Sequence, residues 1–374
     1  MYDVSRANKT SFIPPPGLMT EYTENEDDLS LDNVFEEPPR PPTPPPTFTT
    51  YNRQAARLKS RSNVPEWSSI ELQLVGHHVL WAQHLWNAAI VLANFLDDNS
   101  SDMCQDKTVL ELGAGGALPS LVTALCGAHQ VRHFRPPSKL GLRWPTQVVI
   151  TDYPDTILLD NIIRNIDHNI PSRIRSRVKT QGYVWGTDPE KLFRCVDCTP
   201  LAGESSEDAL VIKPDAFDVI ILSDLIFNHS QHSALLDTCE VALQPARRLE
   251  EVPQSEMKSA DPKKLSHEDR GSTITTPCVL VFFSHHRPQY AARDLNFFAC
   301  AKDRGWICEQ VVQTKMKVSC SASCFDFSEG ISEIAWHSLV FSIRQAMFPD
   351  DPGDEDVRST VHGWVLRRPA SVAS

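Results

Sequence analysis

The chain has 374 residues, 41% of them apolar and 22% charged, enough to bury a sizeable core. Its 36 Lys and Arg stand against 48 Asp and Glu, and the net charge of -12 argues against general nucleic-acid binding and favours cationic partners. The sequence lacks a long uninterrupted apolar run and does not start with a basic region followed by an apolar one, so neither a membrane span nor a signal peptide is expected, and a cytosolic location is.

In chain order, residues 1–55 come first, with ten prolines and the acidic run Glu24, Glu26, Asp27 and Asp28. Such a segment offers little apolar surface to offset its ordering entropy, and is read as a mostly disordered tail with polyproline character near its end. Val34-Phe35-Glu36-Glu37-Pro38 stands out there as an apolar anchor beside acids. From residue 56 to 374 the pattern is globular. Residues 84–98 read as a helix, with Leu85, Trp86, Ala89, Leu92, Ala93 and Leu96 at three- and four-residue spacing. Strands are expected at 108–112, 148–152, 178–184, 217–224, 278–285, 306–313 and 361–367, and helices at 119–127, 155–169, 230–243 and 287–304. Strand alternating with helix predicts a single doubly wound α/β domain.

Three stretches interrupt the rhythm, at 129–147, 246–277 and 318–345, and are read as irregular insertions. The ends of the last permit splice-type codons, so retained intron sequence is the expectation for it and, less directly, for 129–147. Ten cysteines are too few for a disulfide scaffold and suit a reducing compartment. The pairs Cys195 with Cys198 and Cys320 with Cys324 sit in no ribbon-like segment with turn glycines, so no metal site is expected.

The sharpest motif is Val109-Leu110-Glu111-Leu112-Gly113-Ala114-Gly115-Gly116-Ala117-Leu118-Pro119. A strand running into glycines and then a helix lets a ligand approach the backbone at the C-terminal edge of a sheet. A dinucleotide fingerprint wants a third glycine where Leu118 stands, and the Lys-Ser/Thr ending of a phosphate loop is absent. Glu111 ahead of the glycines is instead the acid-then-glycine pattern of S-adenosylmethionine (SAM) enzymes. Asp152, at the end of the next strand, is placed to accept from a ribose diol. It lies 37 residues after Gly115, or 18 without the stretch 129–147, close to the roughly 20 of nucleoside-binding folds. Asp155 and Asp160 compete for that role, but their place at and in the following helix favours capping or exposure. Trp185, in Gly182-Tyr183-Val184-Trp185-Gly186, can pack on an adenine or be an ordinary core residue, and the same choice holds for Trp81 and Trp86. The buried run after Phe217 ends in Ser223-Asp224-Leu225-Ile226-Phe227-Asn228-His229. Ser223 and Asp224 would face the methyl donor, with Asn228 and His229 nearer an acceptor, unless Asn228 or Ser230 caps the next helix. His285, His286 and Arg287 could orient a substrate.

Together with Leu80 to Ala89 and Thr151-Asp152-Tyr153-Pro154-Asp155, these motifs resemble, in order, the fungal protein N-terminal and lysine methyltransferases of elongation factor 1-alpha. These are seven-β-strand, SAM-dependent lysine methyltransferases, often labelled nicotinamide N-methyltransferase-like. The resemblance covers roughly residues 34–316 and 346–367. It implies a seven-stranded Rossmann-like SAM-dependent methyltransferase domain, with SAM held by Trp86 together with Trp81, Gly113, Ala114, Gly115, Asp152, Trp185 and Ser223. It also implies, as acceptors, the N-terminal glycine α-amine and adjacent lysine of elongation factor 1-alpha. Asp224, Asn228 and His229 are the candidates for orienting that amine. A monomer acting on a protein, without nucleic acid or membrane, is the expectation. The competing readings are a small-molecule N-methyltransferase with a closed pocket, and a SAM-binding interaction module without turnover.

Overall fold

The computed structural model describes residues 44–55, 57, 67–127, 146–196, 216–243, 274–316 and 354–369. Residues 1–43, most of each expected insertion, and Cys198, Cys320 and Cys324 lie outside these.

A hairpin opens the described chain, β1 (Thr47–Asn52) pairing antiparallel with β2 (Ser69–Leu74). There follow α1 (Asn87–Asp98), α2 (Ser100–Met103), β3 (Thr108–Leu112), α3 (Leu118–Gly127), β4 (Gln147–Asp152), α4 (Thr156–Asn169), α5 (Ser172–Arg175), β5 (Val178–Gly182) and α6 (Glu190–Phe193). The last part holds β6 (Val219–Ser223), α7 (His232–Ala242), β7 (Cys278–Ser284), α8 (Ala291–Asp303), β8 (Ile307–Lys315), α9 (Glu355–Ser359) and β9 (Thr360–Arg367). The main sheet has seven strands in the order β5-β4-β3-β6-β7-β9-β8. The first five are parallel, and β9 is antiparallel to both of its neighbours.

Both faces of this sheet are covered, which is why its central strands are continuous apolar runs. Val109, Val219, Ile221, Leu280 and Phe282 point into one core with α1 and α3. Leu110, Leu112, Ile220, Leu222, Val281 and Phe283 point into the other with α7 and α8. The chain winds outward from β3 to β5 and then returns to β6, opening a crevice beside β3 at the C-terminal ends of the strands.

Several boundaries differ from the sequence expectation, each for a local reason. Residues 47–52, assigned to the tail, form β1. The helix expected from 84 starts at Asn87, because Trp86 is extended, with ψ 146°. The strand expected over 217–224 stops at Ser223, since Asp224 has φ +60°, outside the strand range. The strand expected to 184 ends at Gly182, and the helix expected from 287 begins at Ala291 after a single tight turn over Pro288–Tyr290.

Two polar devices hold the hairpin. Arg53 donates from Nε and Nη2 to the two Asp97 oxygens of α1, at 2.8 and 2.6 Å, with both residues buried and Trp67 stacked 4.5 Å from the guanidinium. Removing one partner of such a buried pair typically costs about 3–5 kcal/mol. On the other side, asparagines one turn apart on α4 bond the free edge of β2. Asn165 accepts from Gln73 N–H at 2.8 Å and donates to Gln73 O at 2.9 Å, and Asn169 does the same for Glu71 at 3.0 and 2.8 Å. Asn161 adds a second donor to Gln73 O at 3.0 Å. Four helical residues rise about 6.0 Å, close to the roughly 6.6 Å of two strand residues, so side-chain amides stand in for a neighbouring strand.

Candidate active site

The crevice beside β3 widens into a cavity of 490 Å³, within the range of small-molecule sites. Its floor is the turn from β3 to α3. Gly113 has φ +60°, and a Cβ there would lie 2.7 Å from Leu225 Cδ2 and 3.1 Å from Trp185 Cζ2, so only glycine lets both side chains close the wall. Gly115 has φ +53° and faces open space where a Cβ would stand. Behind the turn, Glu111 is fully buried and its Oε2 accepts from Ser120 N–H at 3.2 Å, fastening the strand end to the first turn of α3. Burial pushes its carboxyl up to about 8, against the Ser120 bonds.

Asp152 ends β4 on one flank of the cavity. Its Oδ2 accepts from Gly115 N–H at 2.8 Å and its Oδ1 from Tyr153 N–H at 2.7 Å. Burial raises its pKa, and these two backbone donors work in the other direction. Asp155 caps α4, accepting from Ile157 N–H at 2.8 Å, the role expected of it. Beyond β5, Trp185 stands over Gly113 on a loop fixed by Tyr183 Oη donating to Thr187 O at 2.6 Å and Gly186 N–H donating to Thr238 Oγ1 at 2.8 Å. Trp81 and Trp86 wall the cavity from the loop between β2 and α1.

Ser223 and Asp224 close the far side. Asp224 is 5% exposed, and its Oδ1 accepts from His286 at 2.9 Å and from Ser284 N–H at 3.3 Å. Ser223 Oγ and Asp224 Oδ2 are buried without a hydrogen-bond partner among the described residues. Burial opposes a charge on His286, but the charge and hydrogen bond of Asp224, helped by Asp294, outweigh it and raise the imidazole pKa.

Of the eleven residues singled out in the sequence, ten line this one cavity: Trp81, Trp86, Gly113, Ala114, Gly115, Asp152, Trp185, Ser223, Asp224 and Asn228. His229 does not. Its Nε2 lies 2.7 Å from Asp294 Oδ1, and Asp294 Oδ2 lies 2.7 Å from His285 Nδ1, so the expected acceptor-side histidine is held away by an acid on α8. Neither Asn228 nor Ser230 caps the next helix; Ser230 Oγ instead donates to Asn228 Oδ1 at 2.9 Å. Tyr153 and Ala117, quoted in the motifs without a role of their own, and Gln231, which no motif contains, also line the cavity. The alternation of Ile70, Leu72 and Leu74 could have revealed β2, the strand that leads into the Trp81 loop. Three of the four non-glycine residues with positive φ among those described, Trp81, Ala117 and Asp224, lie here at +65°, +64° and +60°.

These residues fit a bound SAM. The open space above Gly115 admits a ligand to the backbone, Asp152 offers its carboxylate at the strand end, and Ser223 Oγ is a buried polar atom without a hydrogen-bond partner among the described residues.

A sequence family described as lysine methyltransferase matches residues 71–199, the span that carries the glycine turn, Asp152 and Trp185. The chain is 36% identical over 344 residues to the protein N-terminal and lysine N-methyltransferase EFM7 of Cryptococcus neoformans var. neoformans, covering 91% of this chain and 89% of that one. It is 32% identical over 349 residues to efm7 of Schizosaccharomyces pombe (93% and 99%), and 29% over 362 residues to efm7 of Neurospora crassa (95% of each). Similarity that runs nearly end to end at this level settles what the cavity alone leaves general: this chain belongs to the family of protein N-terminal and lysine N-methyltransferases, which are SAM-dependent enzymes.

Proposed function

We propose that this enzyme, acting as a cytosolic monomer, methylates the N-terminal glycine α-amine and the adjacent lysine of elongation factor 1-alpha. The observation that carries the reading is the Asp224 Oδ2 atom, buried on the cavity wall without a hydrogen-bond partner among the described residues. A desolvated carboxylate oxygen is costly until a donor reaches it, and an amine supplies that donor. Around the mouth, Val79, Leu80, Tyr153 and Val184 are exposed and apolar, a rim suited to the end of a polypeptide. The relatives named above are protein N-terminal and lysine methyltransferases by name, and the sequence motifs resemble those acting on elongation factor 1-alpha.

In this reading Gly113, Ala114, Gly115 and Asp152 hold the nucleoside part of SAM, Trp185 packs on its base, and Trp81, Trp86 and Ser223 complete the wall. SAM supplies a methyl carbon whose bond to sulfur breaks as the amine lone pair attacks. The residues of this chain then have two tasks, to hold the amine in line and to receive it without its extra proton. An α-amine, with pKa about 8, loses that proton readily, whereas a lysine at about 10.4 needs desolvation. Asp224 and Asn228 are placed to orient the nitrogen, and positioning supplies much of the rate.

The test is transfer from labelled SAM to recombinant elongation factor 1-alpha, read by mass spectrometry of its N-terminal peptide. Methyl groups are expected on the glycine α-amine and the neighbouring lysine. Measurable SAM binding with no transfer would overturn the reading in favour of a small-molecule acceptor or a module without turnover.

A further inference from the structure

We propose that His286 is a positioning residue which, as an imidazolium on the rear oxygen of Asp224, makes the cavity receive the acceptor as a neutral amine. The inference rests on the proposed amine methylation and deepens it. β6 and β7 are parallel neighbours with Ser223 opposite Phe282, so the residues that follow each strand emerge side by side, Asp224 on the cavity wall and His286 behind it. His286 is 9% exposed and packed edge-on against Trp86, with ring centroids 4.6 Å apart, and Phe227, at 5.8 Å; both of those rings line the cavity. Its Nε2 meets Asp224 Oδ1 at 2.9 Å, while Oδ2 of the same carboxylate has no hydrogen-bond partner among the described residues.

The reason for such a pair lies in the needs of the reaction. A buried carboxylate by itself favours the cationic form of an incoming amine and would hold it as an ammonium, which has no lone pair to offer. With a cation already on Oδ1 the pair is neutral overall, so Oδ2 accepts an N–H bond from the free amine and gains little from an ammonium. The proton of the ammonium leaves to solvent before docking, because His286 already carries one. Among the described residues, the titratable groups about the imidazole include Asp224 on the β6 side, Asp294 on α8, His285 beside it in the chain, and His84 across Trp86. Asp294 is already held by His229 and His285. His84 lies against Trp86 at 5.4 Å, and burial lowers its pKa, which keeps it neutral near pH 7. The exposed Arg287 follows in the chain.

His286→Gln keeps an N–H for Asp224 and removes the charge. The experiment measures kcat/KM for the acceptor peptide from pH 6 to 9.5 in the wild-type chain and in this variant, with SAM affinity and melting temperature followed in parallel. SAM affinity is expected to stay within about twofold. The acid limb should move up by about one pH unit, so that the variant is roughly tenfold slower at pH 7 and recovers by pH 9. A loss equal at every pH, or an unchanged profile, would overturn the role given to His286. Absence of transfer by the wild-type chain would instead overturn the proposed function, and this inference with it. Should the variant fail to fold, the ¹⁵N shifts of the His286 ring in the wild-type chain at pH 7 decide: an imidazolium supports the proposal and a neutral ring overturns it.

Discussion

Asp152 is held in place by two backbone N–H groups, so its carboxylate is fixed before any ligand arrives. Replacing it by alanine removes a charged acceptor from the cavity and frees the Gly115 amide. We expect SAM affinity to fall by tenfold or more, about 1.4 kcal/mol or above, in a calorimetric titration. Unchanged affinity in a folded Asp152→Ala protein would refute its role toward the ribose. At this scale the sequence was most informative. Gly113, Gly115 and Asp152 stand at strand ends whose apolar runs mark them, and their chemistry is local. The pairing of Asp224 with His286 joins residues 62 positions apart, and the capture of His229 by Asp294 joins residues 65 apart. No local pattern encodes either one. Sheet register and the placement of α8 do.

Among the elements, the join of β3 to α3 turns on Glu111, whose carboxyl is pushed up to about 8 from an ordinary value of 4.5. The folded chain thus holds a proton that the unfolded chain gives up above about 4.5. The stability this contributes is fully present below that pH and is lost as pH rises through about 8. Glu111→Gln retains an acceptor for Ser120 N–H and cannot ionise. Its unfolding free energy relative to wild type, read by chemical denaturation, should therefore climb between pH 5 and 9, reaching on the order of a few kcal/mol at the alkaline end. A difference that does not vary with pH would show that Glu111 does not titrate in this range. The elements themselves were legible in proportion to their burial. β3 and β4 lie within one residue of expectation because they are buried along their whole length. β1 escaped notice because Tyr51 is its single buried side chain, and its order comes from its pairing with β2.

Across the whole molecule, Asn165 connects regions that are far apart in the chain. Besides holding Gln73 of β2 it donates to Gly116 O at 3.2 Å, so one buried side chain ties the hairpin edge to the floor of the cavity. Asn165→Ala leaves the Gln73 N–H without its acceptor and weakens the bonding of two carbonyls, a loss of about 1–3 kcal/mol for each group left unsatisfied. Hydrogen exchange should quicken at residues 69–74, and SAM affinity should drop although Asn165 does not line the cavity. Faster exchange with unaltered affinity would show that the hairpin and the cavity are uncoupled. The doubly wound order of the large sheet could be anticipated from alternating strands and helices, whereas a helix acting as the neighbour of a strand could not, since asparagines at a four-residue interval also suit an exposed face.

The left-handed backbone at Trp81, Ala117 and Asp224 puts stability and activity in tension around one cavity. Each such residue costs on the order of 1–3 kcal/mol that a glycine there would largely recover, and each lies on a different loop. Selection for heat resistance alone would drift toward glycine at these sites and give up the indole, the methyl and the carboxylate that shape the cavity. Engineering of a hardier enzyme should therefore leave these three positions untouched and seek its gains at β8, an edge strand three places from β6.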